Sequence, residues 1–138
     1  MTPQQYETSL LALQSYRAAK SDDILEMLAI ACVFRNRVHK YGKSYTQILE
    51  AAEVSRPWPA ITHPVLVTPY TGLLSQVESI YKGDMPDMTA NHLKKNGALY
   101  FGRVQEHLGT GDFFEETVLK NQAEHGLVGQ WGSQHFYE

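Results

Sequence analysis

Few side chains in this sequence have chemistry to offer, and they are scattered. Asp22 closes the polar stretch YRAAKSDD (16–23) and is a candidate acid. Trp58 and Tyr100 are aromatic side chains that suit either core packing or contact with a ligand, Trp58 with flanking prolines that also suit packing, and the Tyr100 hydroxyl can form a hydrogen bond. His135 can bond a ligand hydroxyl or, more simply, a backbone carbonyl. The six histidines (39, 63, 92, 107, 125 and 135) contain no His-Glu-x-x-His or other compact ligand spacing, so neither a metal centre nor a cofactor is expected. There is no Gly-x-Ser-x-Gly turn and no glycine-rich phosphate loop. Cys32 is the only cysteine, so it has no internal disulfide partner. Its apolar neighbours mark it as a core thiol and not a nucleophile. Plain structural readings stand beside these. Asp22 and Asp23 suit the start of a helix, alanine is the best helix former, and Asn36 and Arg37 suit hydrogen bonds to neighbouring loops.

The elements that must hold these residues are mostly helical. Thr2 and Pro3 form an N-cap and a first turn, and Tyr6, Leu10, Leu13 and Arg17 follow at helical spacing, so a helix is expected over about 3–19. Asp23 and Glu26 have capping-box spacing ahead of a second helix over about 24–41. Its run ILEMLAIACVF is apolar almost all round, which marks a buried central helix, and Gly42 stops it. Ser44 and Gln47 cap a short helix over about 45–53. The four prolines of VSRPWPAITHPVLVTP argue for an irregular segment, with the next helix opening at Thr68 and Pro69 and ending near Lys82. ALYF (98–101) and a segment near 134–137 suit two short strands, and a short helix is expected from about 112. The sum is one mostly helical α+β domain over 1–138 with a small β-strand pair.

The composition narrows the function classes. The chain has 138 residues, 43% hydrophobic and 20% charged, enough for one domain with a core. Twelve basic and 15 acidic residues give a net charge of −3, with no basic cluster longer than a pair, which argues against nucleic acid as a partner. No run is long and apolar enough for membrane insertion, and the start MTPQQYETSL lacks the basic and apolar regions of a signal peptide.

Four stretches, in this order, resemble the SleB-type spore-cortex-lytic and cell-wall hydrolase family. LAIACVFRNRV (28–38) is similar to a family helix ending Asn-Arg-Val. Trp58 falls where the family has a Phe-Ser-Trp-like segment. IYKGDMPDMT (80–89) and NGALYF (96–101) resemble its Gly-x-x-Pro-Asp-x-Thr turn and Gly-Ala-Leu-Tyr-Tyr/Phe run. GSQHFYE (132–138) is similar to its terminal Gly-x-His-x-Phe-Tyr. The resemblance covers nearly the whole chain. It implies a lysozyme-like fold and cleavage of peptidoglycan glycan strands, as a lytic transglycosylase or muramidase with a single glutamate as acid and base.

One position departs from the pattern. The family's Tyr-x-Glu-Ala-Arg-Gly-Glu, aligned without gaps from Asn36, falls on YRAAKSD (16–22). Tyr16, Ala19 and Lys20 fit, Asp22 stands at the second acid, and Ala18 stands at the catalytic glutamate. Such an acid must protonate the leaving oxygen of the glycosidic bond, and the negative end of a helix would hold its proton on at neutral pH. A methyl group cannot do this, so the chain is expected to be inactive. Ala18 is then an engineered replacement of glutamate, or the mark of a natural pseudoenzyme that binds glycan or a partner protein, or, third, Asp22 supplies the acid despite its shorter side chain on the next turn.

The resemblance thus implies Ala18 as the acid/base seat, with Asp22 as a supporting acid and Tyr16, Trp58, Tyr100 and His135 against the substrate. It implies a bacteriolytic domain made in the cytoplasm without a signal peptide and acting at the cell wall. Delivery would be by a phage, as an endolysin, or by a secretion system, as an effector. An effector would bring an inhibitor or immunity protein as a second partner. An all-helical interaction domain unrelated to the wall is the remaining alternative.

Overall fold

A computed structural model describes residues 2–52, 54, 64–90 and 97–138, and for 64–71 the backbone alone. The elements are α1 (Pro3–Ala18), α2 (Ile24–Tyr41), α3 (Tyr45–Glu50), α4 (Pro64–Lys82), β1 (Tyr100–Gly102), α5 (Val104–His107), a π-helical turn (Phe114–Val118) continued by a 3-10 turn (Leu119–Asn121), β2 (Leu127–Trp131) and β3 (Gln134–Tyr137). This is a mostly helical α+β fold with a three-stranded antiparallel sheet in the order β1-β3-β2. The sheet rules out an all-helical domain. β2 is the strand the sequence does not announce: its Leu127–Trp131 run includes Gly129, and a register irregularity falls between Leu127 and Gly129.

Local signals explain the helix ends. The Thr2 side chain accepts from the Gln5 amide while Gln5 reaches back, and Ser44 and Gln47 do the same at α3. The Asp23–Glu26 expectation is only half met. Asp23 caps α2 by accepting from Leu25 N, whereas the Glu26 carboxylate turns away to other donors. Gly42, at φ 63°, ends α2 in the left-handed conformation.

α2 is the core helix. Every residue from Met27 to Phe34 is buried, and α1, α3 and α4 pack around it. α4 corrects the expected start at 68–69. It begins at Pro64, where the missing N–H of proline costs nothing in a first turn, and Pro69 then forgoes one ladder bond inside the helix. The helix expected from 112 is instead the π turn and the 3-10 turn.

Three segments, 28–38, 80–89 and 97–101, meet in space. Asn36 Nδ2 donates to Asp87 Oδ2 at 2.8 Å and to the Ala98 carbonyl at 3.0 Å. Asp87 Oδ1 in turn accepts from the Thr89 amide and hydroxyl, and the Thr89 hydroxyl accepts from Ala98 N. Arg37 Nε donates to the Leu99 carbonyl at 2.8 Å, with its guanidinium over the Phe34 and Phe101 rings. Gly97 is obligatory for this knot, because a Cβ there would lie 1.9 Å from Asp87 Oδ2. Asn36 and Arg37 thus tie α2 to the strand segment.

Candidate functional site

A cleft of about 630 Å³ opens between the C-terminal end of α1, α3, β1 and the 103–114 segment. Ala18 is the last residue of α1 and lines this cleft. It is 2% exposed, with its carbonyl accepting from Gln134 Nε2 at 3.2 Å. Tyr100 lines the cleft from β1. The other candidates are distributed differently. Tyr16, expected against substrate, is 3% exposed and packs in the main core. Ala18 belongs to the same core cluster, so burial does not separate the two positions; Ala18 alone of the pair also borders the cleft. Asp22 is exposed on the turn between α1 and α2 and is not among the cleft-lining residues. His135 is half-buried in β3 opposite Gly102 and Gln130, with a buried Nδ1 that has no partner among the described residues. Trp58 lies outside the described residues.

The turn that carries position 18 is fixed by Glu26. Its fully buried carboxylate accepts from Lys20 N (2.7 Å) and Ser21 N (3.1 Å) through Oε2, and from Ser133 N (2.8 Å) and Ser133 Oγ (2.9 Å) through Oε1. One side chain therefore clamps the α1–α2 turn to the β2–β3 hairpin. Gly132, at φ 60°, lets the hairpin come close enough, since a Cβ there would stand 2.5 Å from Glu26 Oε1.

The opposite wall holds groups that the sequence reading does not single out. The His107 and Asp112 side chains meet at 2.6 Å between Nδ1 and Oδ2. Asp112 Oδ1 also accepts from Glu115 N, and that bond, followed by the one from His107, holds the Asp112 carboxyl below the usual carboxylate range. Glu115 accepts from the amides of Gly109 and Gly111, which lowers its pKa in the same way and staples the 109–111 loop. Glu106 faces Lys20 at 3.4 Å and Arg103 at 3.3 Å, so α5 is tied back to the turn beside Ala18. The only advance signal for this wall is the pair His107 and Asp112 set around two glycines in HLGTGD.

Aromatic rings line the mouth. Phe113 is 66% exposed and Tyr41 47% exposed, although both are large apolar side chains. Phe113 stands 6.2 Å from the Tyr100 ring, and the edge of His125 meets that ring at 5.2 Å. Burial, then the hydrogen bond and charge of Tyr41, raise the Tyr100 pKa, so its hydroxyl keeps its proton at neutral pH. Lys20, Arg37, Lys43 and Arg103 line the cleft against Glu106 and Asp112, a positive excess in a chain of net charge −3. Such a groove can stack pyranose rings, bond hydroxyls and accept anionic groups.

Among the described residues, no group of three or more His, Cys, Asp or Glu side chains is arranged to hold a metal ion, and no helix is long and apolar enough to cross a membrane. Comparison of the chain with protein-family profiles, curated proteins and solved structures gives no match.

Proposed function

We propose that this domain binds a peptidoglycan glycan strand in the cleft, and that position 18 is the seat of the acid that would cut it. As a SleB-like peptidoglycan-cleaving domain with alanine at that seat, the chain binds without turnover. One observation carries the reading. Ala18 and Tyr100, picked out by the resemblance for catalysis and sugar contact, line the same cleft although they are far apart in sequence. The exposed rings of Phe113 and Tyr41 at the mouth support a carbohydrate ligand, since exposed aromatic area beside a cleft suits the apolar faces of sugars. A carboxylate at 18 would contribute roughly 10²–10⁴ in rate as a general acid, and alanine forfeits that. The site of action is the bacterial wall, reached by phage or secretion-system delivery, with an inhibitor protein as the further partner in the effector case.

Co-sedimentation with purified peptidoglycan tests the binding half. The chain is expected to pellet with the polymer, and Tyr100→Ala with Phe113→Ala to remain in the supernatant while keeping the parent's unfolding midpoint. Equal pelleting of both proteins would remove the cleft from the account.

A further inference from the structure

Resting on the glycan-binding reading above, we propose that Arg37, Tyr41, Lys43 and Tyr100 form a carboxylate subsite, which makes the cleft selective for strands that carry an acidic substituent. Charge points to it first. Among the described residues, four of the chain's 12 basic side chains line the cleft, namely Lys20, Arg37, Lys43 and Arg103, against Glu106 and Asp112 of its 15 acidic ones. A chain of net charge −3 repels anions as a whole, so a positive cleft gathers the opposite sign in one place.

The two acids sit on one wall and are already engaged. Glu106 faces both Lys20 at 3.4 Å and Arg103 at 3.3 Å, and Asp112 is met by His107 and by Glu115 N. The wall where the end of α2 meets β1 has cations and phenols, with no carboxylate lining it among the described residues.

Arg37 is half-buried and fixed there. Its Nε donates to the Leu99 carbonyl at 2.8 Å, and its guanidinium carbon stands 5.6 Å from the Phe101 ring centroid. A charge held in this way loses little freedom when a ligand arrives. Tyr41 follows Arg37 by four residues and so stands on the same side of α2. It hydrogen-bonds with Tyr100, and the Arg37 charge acts on that same Tyr100 hydroxyl. Lys43, just past Gly42, is exposed, lines the cleft and pairs with no acid among the described residues. A carboxylate only accepts hydrogen bonds, and two cations with two phenol hydroxyls supply donors to it. The negative end of α2 opposes an anion here by less than about fivefold, and Lys40 in the last turn offsets it.

Peptidoglycan carries the matching group. Every second sugar bears a lactyl ether that ends in a free carboxylate or in an acidic stem peptide. Chitin has the same N-acetylated rings without the acid.

Calorimetric titration of the chain with tetrasaccharides tests the subsite. The probes are the alternating N-acetylglucosamine–N-acetylmuramic acid tetramer with free lactyl carboxylates, the same tetramer bearing stem peptides, the methyl esters of both, and the neutral N-acetylglucosamine tetramer. An acid form is expected to bind about tenfold tighter than its ester and than the neutral tetramer at low salt, with the preference shrinking at high salt as the charges are screened. A gain with the peptide-free acid assigns the lactyl carboxylate to the subsite, and a gain confined to the peptide-bearing form assigns the stem peptide. Lys43→Gln and Tyr41→Phe are each expected to cut the acid-to-ester affinity ratio by about threefold with the unfolding midpoint retained. Loss of cleft shape would instead weaken both probes alike and leave the ratio unmoved. Equal affinity for acid and ester, or a ratio that neither substitution changes, would overturn the subsite while leaving glycan binding in place. No binding of any tetramer would overturn the glycan reading, and the subsite with it.

Discussion

Replacing Glu26 by alanine should loosen the cleft by unclamping the turn that carries position 18. The carboxylate is fully buried and accepts four hydrogen bonds, three from backbone amides and one from the Ser133 hydroxyl. Each bond to a charged acceptor contributes about 1.5–3 kcal/mol, but the four share one group and do not add. Removing it strands its donors in a buried site, which by analogy with broken buried ion pairs costs about 3–5 kcal/mol. For a chain of this size that is a fall of on the order of 10 °C in Tm. Glu26→Gln is the subtler probe. It keeps one acceptor oxygen but turns an N–H₂ toward either the Lys20 and Ser21 amides or Ser133, so it should lose somewhat less. Urea unfolding followed by circular dichroism measures both variants. A loss below about 1 kcal/mol in Glu26→Ala would refute the clamp, because it would mean that water satisfies those donors as well as the carboxylate does.

Gly97→Ala should cost about 2–4 kcal/mol, since its Cβ would collide with Asp87 Oδ2 and prise apart the Asn36–Asp87–Thr89 knot; a thermal melt checks it. Acidification should release the 107–115 wall before the rest of the fold. The Asp112 and Glu115 pKa values are depressed in the folded state, so their stabilisation is full above the unfolded values, about 4, and is lost as pH falls through the folded ones. Amide exchange at Gly109 and Gly111 should accelerate in that window. Cys32, fully buried and with its thiol pushed up to about 11, should resist iodoacetamide at neutral pH in the native chain and react on denaturation, as read by mass spectrometry.

What could be read from the sequence was what local chemistry decides. The ends of α1 and α2 follow from Thr2, Asp23 and Gly42, and the all-apolar face of 27–34 marks the central helix. Proline misleads at α4, because Pro64 fits a first helical turn as well as it fits an irregular segment. Glu26 misleads more deeply. Its spacing from Asp23 suits a capping box, yet its strongest partners include Ser133, more than a hundred residues away, and no local rule can weigh that option. The site was legible only in part. Position 18 and Tyr100 come from the motif comparison, whereas the His107–Asp112 wall forms only when a glycine-bent loop folds back over β1. Tyr16 packs in the main core, and motif adjacency says nothing about which side of a helix a residue faces.

Position 18 is proposed as the place where glycan would be cut. Its most direct test is digestion of purified peptidoglycan by the chain and by its Ala18→Glu variant, with the products identified by mass spectrometry. Soluble muropeptides are expected from the variant and none, or roughly 10²–10⁴ less, from the parent. Equal release by both, or none from a variant that keeps its fold, would contradict it.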